Sequence, residues 1–472
     1  MNIKLLVKHV FVFSLAVIVA GCTLNPLYVR PPLPTPQAYP RQECGTPIRQ
    51  LGWQGFFKDP TLKNLIALAL ENNRDLRSAI LRMQEAKAMH QLQWGEQLPV
   101  HATLTAVRAR IPGLCEHHRN PFNFSAYGAA LSVISWELDF WGRLRSLKEA
   151  DLEQFLATAE TQVATRICLI SQVANAYLTE KELNELICLN KQTIQARQEG
   201  YRIMQLRFEQ GAAPKFDFFQ AEVLLQQAKA DLMALERQRE LNWNAMTLLV
   251  GVPIYPDDLL LSHIEPCFIE HICSGLPSEL LCNRPDVRSA EHKLLAARAN
   301  IGAARAAFFP TISLTGSGGI ASTELKSLWS PGKLFWAFIP NLSLPIFDLG
   351  KNRCFLAVSR IRQNLAVTEY ERIIQVAFRE VADALAERTW LKEQVLSQKK
   401  MLDAQTERTR LAWVRFQYST GSFLEVLDAE RERYSAEQAY VQTRRSLLVS
   451  GVNLYISLGG GYYGKNDLGK LL

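Results

Sequence analysis

The chain has 472 residues, of which 48% are hydrophobic and 21% are charged. This composition is typical of a folded protein with one large domain or two medium ones. The formal net charge is only +7, and basic residues are interleaved with acidic ones along the chain. Because no basic stripe could follow a phosphate backbone, the sequence argues against nucleic-acid binding.

The N-terminus has the pattern of a secretory signal peptide. Two lysines precede an apolar run, Val10 to Val19, which is too short to span a bilayer as a retained helix. Small residues then lead to Cys22 in a run that resembles a bacterial lipobox. We therefore predict a signal peptide over 1–21 and a lipid on Cys22, the alternative being an ordinary signal sequence with a chance cysteine. Thr23 favours the outer membrane, since Asp at this position would resemble an inner-membrane retention signal.

Residues 22–60 begin with closely spaced prolines. Such a composition predicts an extended, semi-stiff strap behind the lipid anchor, and simple disorder is the alternative interpretation. The prolines are Pro31, Pro32, Pro34, Pro36 and Pro40.

The remainder of the chain is a tandem repeat. The run Asp75 to Ala79 recurs as Asp286 to Ala290, and the same offset of 211 relates Pro99 to Pro310. Later matches continue in the same order at an offset near 208. The predicted organisation is a first repeat over 61–251, a connector over 252–271, a second repeat over 272–458 and a tail over 459–472.

Each repeat contains a very long helix. A first helix is predicted from about Leu62 to Trp94, and its counterpart from Pro285 to Ala307. Neither Gly nor Pro occurs between Gly142 and Gly200 or between Gly350 and Gly421, so the two stretches could extend roughly 85 and 105 Å as helices. Helices of that length need coiled-coil-like partners to bury their apolar stripes.

Four alternating segments predict β-strands in two hairpins, at about 99–139 and 310–347. Lipid-facing barrel strands have this pattern, and so does a half-buried sheet packed on helices in a soluble protein. The predicted apolar faces are Val100, Ala102, Leu104 and Ala106; Phe122, Phe124, Ala126, Gly128, Ala130, Ile134 and Trp136; Ile312, Leu314, Gly316, Gly318 and Ile320; and Leu334, Trp336, Phe338, Leu342 and Leu344.

Four strands are too few to close a barrel by themselves. An open sheet edge cannot lie in hydrocarbon, and closed bacterial barrels begin at about eight strands. Several chains must therefore pool their strands if these enter a membrane. Three chains would provide twelve, enough for a water-filled bore, although this argument alone also permits two or four chains.

The chain resembles the TolC-like outer-membrane efflux factors, most closely the lipidated branch that serves RND-type drug-efflux pumps. The resemblance covers nearly the whole mature chain, and its motifs are specific when taken together. The matching runs are Gly21-Cys22-Thr23 with Tyr28 and Pro31, Trp136 to Arg143, Asn283 to Arg288, Ala303 to Gly316, Leu344 to Asp348, and Leu424 to Ala429.

The resemblance implies a homotrimer with a twelve-stranded transmembrane β-barrel above a twelve-helix periplasmic tunnel. It also implies a mixed belt near the waist of the tunnel and a constriction that opens when the pump assembles. The implied partners are a periplasmic adaptor protein, an inner-membrane pump and the outer-membrane lipid. The expected function is the exit duct of a tripartite efflux system.

The family contacts its adaptor through the tips of its helical hairpins. In the first repeat Arg207, Gly211 and Ala212 fit the tip pattern without a gap. In the second, Arg415 fits, but Ser419 occupies the position of the usual turn glycine, with Gly421 two residues later. Serine adopts the left-handed turn conformation only at some cost, so we expect the second tip to have a different shape.

Leu424 and Asp428 match the family positions that narrow the closed end. One helical turn separates them, so both lie on the same face, and three copies would form an apolar ring and an anionic ring. The alternative is that Leu424 belongs to the core and Asp428 is simply solvated.

Other chemistry is weakly represented. The chain contains no nucleophile elbow, phosphate-binding glycine loop or His-Glu-x-x-His motif, so we predict neither an enzyme nor a cofactor. Cys267, Cys273, Cys282 and His271 fit no zinc spacing; a local disulfide or free thiols are expected in place of a metal. Two rival functions remain: a duct for type I protein secretion, and a soluble periplasmic coiled-coil lipoprotein scaffold.

Overall fold

The computed structural model describes residues 23–41, 45–48, 51–95, 100–111, 122–254, 267–269, 272–273 and 275–461. The predicted signal peptide, Cys22 and His271 lie outside the described residues. The helices are α1 (Trp53–Phe56), α2 (Pro60–Asn72), α3 (Arg74–Gly95), α4 (Arg143–Glu209), α5 (Lys215–Val250), α6 (Leu280–Asn283), α7 (Pro285–Ala306), α8 (Lys351–Gln417) and α9 (Phe423–Ser457). The strands are β1 (Thr46–Pro47), β2 (Val100–Ile111), β3 (Phe122–Leu138), β4 (Ile272–Cys273), β5 (Thr311–Ser322) and β6 (Leu334–Ser343).

The chain forms two compact units. Unit 1 comprises the described residues within 1–31, 82–158 and 289–370, and unit 2 comprises those within 32–81, 159–288 and 371–472. Among the described residues, no helix combines the length and the apolar character needed to cross a membrane.

The two predicted repeats correspond element by element. Helices α4 and α8 each contain 67 residues and begin 208 positions apart. Strands β2 and β5 each contain 12 residues and begin 211 positions apart. The same two offsets found in the sequence therefore relate the helices and the strands.

The first helix of repeat 1 is interrupted, whereas the sequence predicted one helix from Leu62 to Trp94. Asn73 is extended between α2 and α3, where its Oδ1 accepts from the backbone N–H of Leu76 at 2.9 Å. An asparagine favours such a break because its side chain satisfies an N–H group at the start of the next helix. Arg284, the equivalent residue in repeat 2, is extended between α6 and α7.

Each break packs tightly against a glycine at the end of the repeat. Gly251 has φ +80°, and a Cβ there would lie 2.6 Å from the carbonyl oxygen of Asn72. Gly459 has φ +106°, and its Cβ would lie 2.4 Å from the carbonyl oxygen of Asn283. Both positions therefore require glycine for conformation and for space.

Unit 1 contains a four-stranded antiparallel sheet in the order β2-β3-β5-β6. One end of every strand leads to a helix, and the other ends are joined in pairs by the connections 112–121 and 323–333. β2 and β6 are the two edges.

In the part of the sheet nearer the helices, one face is apolar across all four strands, and toward the other end of β2 the same face carries Arg108 and Arg110. Residues directly opposite each other in antiparallel strands share a face. Leu131 opposes Ala102 on β2 and Gly318 on β5, and Gly318 in turn opposes Trp336 on β6. The predicted faces of β2, β5 and β6 therefore coincide.

The predicted apolar face of β3 is wrong. Ala130 opposes Thr103 and Gly319, so it lies with Phe124, Ala126 and Gly128 on the face that carries the hydroxyl groups. The register also shifts between Val133 and Trp136, where Ser135 has φ +55°. This bulge returns Trp136 to the apolar face, because an extra residue reverses the alternation. The apolar positions of β3 are Tyr127, Ala129, Leu131, Val133, Trp136 and Leu138.

Unit 2 contains the helical hairpins and an aromatic core. The Phe56 ring stacks on Tyr455 at 4.0 Å and on Phe268 at 5.1 Å between centroids. Beside it, Asp59 accepts hydrogen bonds from Tyr177 Oη at 2.7 Å and from Lys181 Nζ at 3.1 Å. The aromatic contacts connect α1 with α9, and the hydrogen bonds connect the start of α2 with α4.

We expect Gly459→Ala to destabilise the protein by roughly 2–4 kcal/mol, because the new Cβ is both strained and overpacked. Gly52→Ala is the matched control, since its φ is −63° and no atom lies within 4 Å of a Cβ there. Thermal unfolding of the purified variants measures the difference. Equal midpoints for the two variants would contradict the tight contact at Asn283.

Candidate functional site

The two hairpin turns have the same backbone hydrogen bonds. In the first hairpin, formed by α4 and α5, the N–H groups of Gly211 and Ala212 donate to the carbonyls of Phe208 at 2.9 Å and Arg207 at 2.7 Å. In the second hairpin, formed by α8 and α9, Ser419 and Thr420 donate in the same way to Phe416 at 3.1 Å and Arg415 at 2.9 Å. The ungapped match of Ser419 to Gly211 is therefore correct in three dimensions.

The expectation that the second turn has a different shape is wrong. Ser419 adopts φ +57°, close to the +72° of Gly211. Gly421 is outside the left-handed region, and its N–H adds a second bond to the Arg415 carbonyl at 3.2 Å. A further hydrogen bond runs from Thr420 Oγ1 to the same carbonyl at 3.1 Å. These added bonds stabilise the turn in which Ser419 is left-handed.

The arginines of the tips contact the second hairpin. The Arg207 guanidinium lies 4.4 Å from the centre of the Phe416 ring, within the range of a cation–π contact. Arg415 Nη1 pairs with Glu425 at 2.9 Å. Gly211 and Ala212 are exposed at the first turn.

A hydrophobic cluster joins the two hairpins just behind their turns. The Phe416 and Phe423 rings lie 5.1 Å apart, and Met204 from α4 and Ala221 from α5 pack in the same cluster. The two hairpins are thus packed together at their turn ends.

Leu424 and Asp428 lie on the same face of α9, as predicted from their spacing. The Leu424 side chain is 46% exposed, so it does not belong to the core of the chain. Asp428 accepts from Arg408 Nη2 on α8 at 2.7 Å and from Arg431 Nη2 on α9 at 2.7 Å. Its carboxylate is therefore paired with two cations, which weakens the expected anionic character of a ring at this level.

A buried polar group between the hairpins was not foreseen. Its buried members are Asn190 and Arg197 on α4 and Tyr434 on α9, and its half-buried members are Trp413 on α8 and Glu430 on α9. The signal was present in the sequence, because Asn190, Thr193, Arg197, Gly200 and Met204 follow the 3-4 spacing of a buried helix face.

The cysteines are free thiols wherever their state is described. Cys267 is buried, Cys273 is half-buried and Cys282 is exposed. Burial raises the pKa of the Cys267 thiol to about 11, which keeps it protonated and unreactive at neutral pH. Within the described ranges, no cluster of three or more potential metal ligands occurs.

Comparison with known proteins identifies the fold. The model of the family described as outer membrane efflux protein matches residues 65–252 and 276–460. The chain belongs to the outer membrane efflux protein family. The two matched segments coincide with the two repeats, 61–251 and 272–458, to within four residues at each end.

Individual members of this family are similar over nearly their full length. The chain is 39% identical to the toluene efflux pump outer membrane protein TtgF of Pseudomonas putida, covering 96% of this chain and 97% of TtgF. It is 36% identical to the outer membrane protein OprJ of Pseudomonas aeruginosa, covering 95% of each chain. The crystal structure of the open state of the MtrE outer membrane channel of Neisseria gonorrhoeae superposes with a TM-score of 0.85 at 36% identity, covering 93% of this chain and 98% of MtrE.

Membership in the family confirms three predictions. The fold combines long antiparallel helices with a four-stranded β-domain in two tandem repeats. The protein is located in the outer membrane, and its function is that of an efflux channel. The comparisons favour an efflux channel over a secretion duct and over a soluble scaffold. The role of the family is transport.

We expect Ser419→Gly to stabilise the protein by roughly 0.5–1 kcal/mol, because glycine avoids the cost of the left-handed conformation. Gly211→Ser is the reciprocal variant and should destabilise by a similar amount. Thermal unfolding midpoints of both variants give the comparison. A lower midpoint for Ser419→Gly would contradict the expectation that the left-handed conformation strains Ser419.

Proposed function

We propose that three copies of this chain form one outer-membrane exit duct by pooling their strands into a twelve-stranded barrel. The support is the sheet itself, because β2 and β6 are edges whose backbone groups need partners in hydrocarbon. In such an assembly β2 of one copy pairs with β6 of the next, and the closed wall has no free edge.

The two faces of the sheet fit the two environments of such a barrel. Exposed side chains such as Leu104, Leu131 and Trp336 lie on the apolar face, and we assign that face to lipid. The opposite face lines the bore in this proposal. Near the helices it carries hydroxyl groups, including Thr103 and Ser317, which suit water.

The proposed lipid on Cys22 is followed by a strap that is held by charged contacts in unit 1. Asn25 Nδ2 donates to Glu149 at 2.7 Å, and Arg30 pairs with Glu291 at 2.6 Å. Gly302 leaves room for the strap, since a Cβ there would lie 1.7 Å from Asn25 Oδ1. We propose residues 22–60 as this strap, between the signal peptide 1–21 and the repeats 61–251 and 272–458.

We propose that the hairpin turns contact a periplasmic adaptor, which joins the duct to an inner-membrane pump of the RND type. The candidate contact residues are Arg207, Gly211, Ala212, Arg415, Ser419 and Gly421. The support is their position at the turn ends of the two packed hairpins, together with the lipobox at Cys22, which favours the branch that serves such pumps. The matching turn geometry makes both tips equivalent candidates for the contact.

We propose Leu424 and Asp428 as the constriction of the duct. Leu424 is exposed in one chain and would face its copies in a trimer, where an apolar ring opposes the passage of water. Asp428 contributes differently from a bare anionic ring, because Arg408 ties it to α8. Its loss should free α9 as well as remove a charge.

Asp428→Ala should raise the single-channel conductance in planar bilayers roughly two- to fivefold, the range expected when exposed ion pairs that favour one conformation are lost. Asp403→Ala is the matched control, since Asp403 forms an exposed pair with Lys399 at 3.0 Å on the same helix, α8. An unchanged conductance for Asp428→Ala, alone and together with Leu424→Ala, would remove both residues from the constriction.

Replacing Cys22 by Ala, together with a leader from a non-lipidated exported protein, should abolish acylation but leave the duct in the outer membrane. The reason is that the closed barrel itself holds the membrane, whereas the lipid is a second anchor. Membrane fractionation and mass spectrometry measure location and acylation, and Cys354→Ala controls for the loss of an exposed thiol. Complete absence from the outer membrane would count against barrel insertion.

A further inference from the structure

A buried arginine joins the first hairpin to the second. Arg197 on α4 is only 5% exposed. Its Nη1 donates to the carbonyl of Leu224 on α5 at 2.7 Å, and its guanidinium lies 5.5 Å from the centre of the Tyr434 ring on α9. Its Nε has no hydrogen-bond partner among the residues that the structure describes.

Tyr434 receives a second contact from α4. Asn190, which is fully buried, donates from Nδ2 to Tyr434 Oη at 2.5 Å. One turn earlier on α9, Glu430 accepts from Trp413 Nε1 of α8 at 2.9 Å. Burial raises the pKa of Glu430, and the charges that face Arg197 are Glu430 from α9 and Asp231 from α5.

This polar group lies between the hairpins, and further along α9 Arg444 and Arg445 pair with Glu185 and Glu182 of α4. A buried cation in a partly satisfied hydrogen-bond network contributes less to stability than a well-packed apolar side chain would. Removing its partners is nevertheless costly, because the charge is then left buried and unpaired. Such groups fix the register of neighbouring helices, since other registers leave the charge without its contacts. Movement of α9 along α4 would break the contacts of Arg197 and Asn190 with Tyr434 together.

Tyr434 lies six residues beyond Asp428 on the same helix, which corresponds to about 9 Å along its axis. Leu424 lies one turn before Asp428. A displacement of α9 at Tyr434 is therefore transmitted to both constriction residues, because a continuous helix moves as a stiff element.

We propose that Arg197 is a positioning residue of the duct: through Tyr434 it holds α9 in the position that places Leu424 and Asp428 at the constriction. This inference rests on the proposed function, because it requires that these two residues narrow the duct. Arg197 does not line the constriction and acts only through α9.

The test is single-channel recording of the full-length protein in planar bilayers. Arg197→Leu removes the charge and the hydrogen bond while keeping apolar volume. We expect the open fraction to rise roughly two- to tenfold, the effect of losing a desolvated cation–π contact on a two-state equilibrium. Tyr434→Leu should raise the open fraction at least as much, because it also removes the hydrogen bond from Asn190. Adding Arg197→Leu to Tyr434→Leu should change little more, because their shared contact is already lost.

The matched control is Arg239→Leu. Arg239 on α5 donates from Nε to Glu180 on α4 at 2.7 Å, so this arginine joins two helices of the first hairpin only. Its loss leaves the buried Glu180 carboxylate with one cation fewer and should lower the thermal midpoint. It should leave the open fraction unchanged, since this contact does not include α9.

The outcomes separate three cases. A higher open fraction for Arg197→Leu and Tyr434→Leu, with an unchanged open fraction for Arg239→Leu, supports the proposal. A lower thermal midpoint with a wild-type open fraction for Arg197→Leu would overturn the proposal and leave Arg197 a purely structural residue. If Arg197→Leu does not assemble, the open fraction of Tyr434→Leu decides between these two outcomes. If the unaltered protein forms no channels, the proposed function fails; if Asp428→Ala opens the channel but neither Arg197→Leu nor Tyr434→Leu does, only this inference fails.

Discussion

The rest of the structure depends on one constraint, which is that a sheet of four strands with an apolar face cannot satisfy its own edges in a membrane. Within unit 1, β2 and β6 leave two rows of backbone groups without partners. Side chains such as Leu104, Leu334 and Trp336 are 86%, 78% and 79% exposed in one chain, which is unfavourable in water. Both problems are solved together when neighbouring chains close the wall and the apolar face meets lipid.

A second constraint governs the helices of unit 2. Residues at the 3-4 spacing form the buried face of α4, and Arg197 places a cation within that face. An apolar cluster, with Phe416 and Phe423 at its centre, packs the turn ends together. The hairpins are therefore held by strong non-directional packing at their tips and by directional polar contacts behind them, and only the directional contacts define one register.

Most of the architecture is predictable from the sequence, because it follows from periodicity. The long stretches without glycine predicted α4 and α8, and the internal offsets predicted that the elements around these two helices would correspond. The face of β3 was not predictable, since the bulge at Ser135 reverses the alternation without a glycine to mark it. Neither was the second turn, where Ser419 adopts the conformation of Gly211 because extra hydrogen bonds support it. The ion pairs of Asp428 and the contacts of Arg197 join residues on different helices, and periodicity within one helix carries no information on such pairs.

The most direct test of this account is the number of chains in the purified, detergent-solubilised protein, measured by native mass spectrometry. The proposed twelve-stranded wall needs three four-stranded sheets, so it predicts a complex of three chains that depends on detergent even after the acyl group has been removed. A monomer that stays soluble in water without its lipid would contradict it, because such a chain would have to satisfy both sheet edges and the apolar face alone.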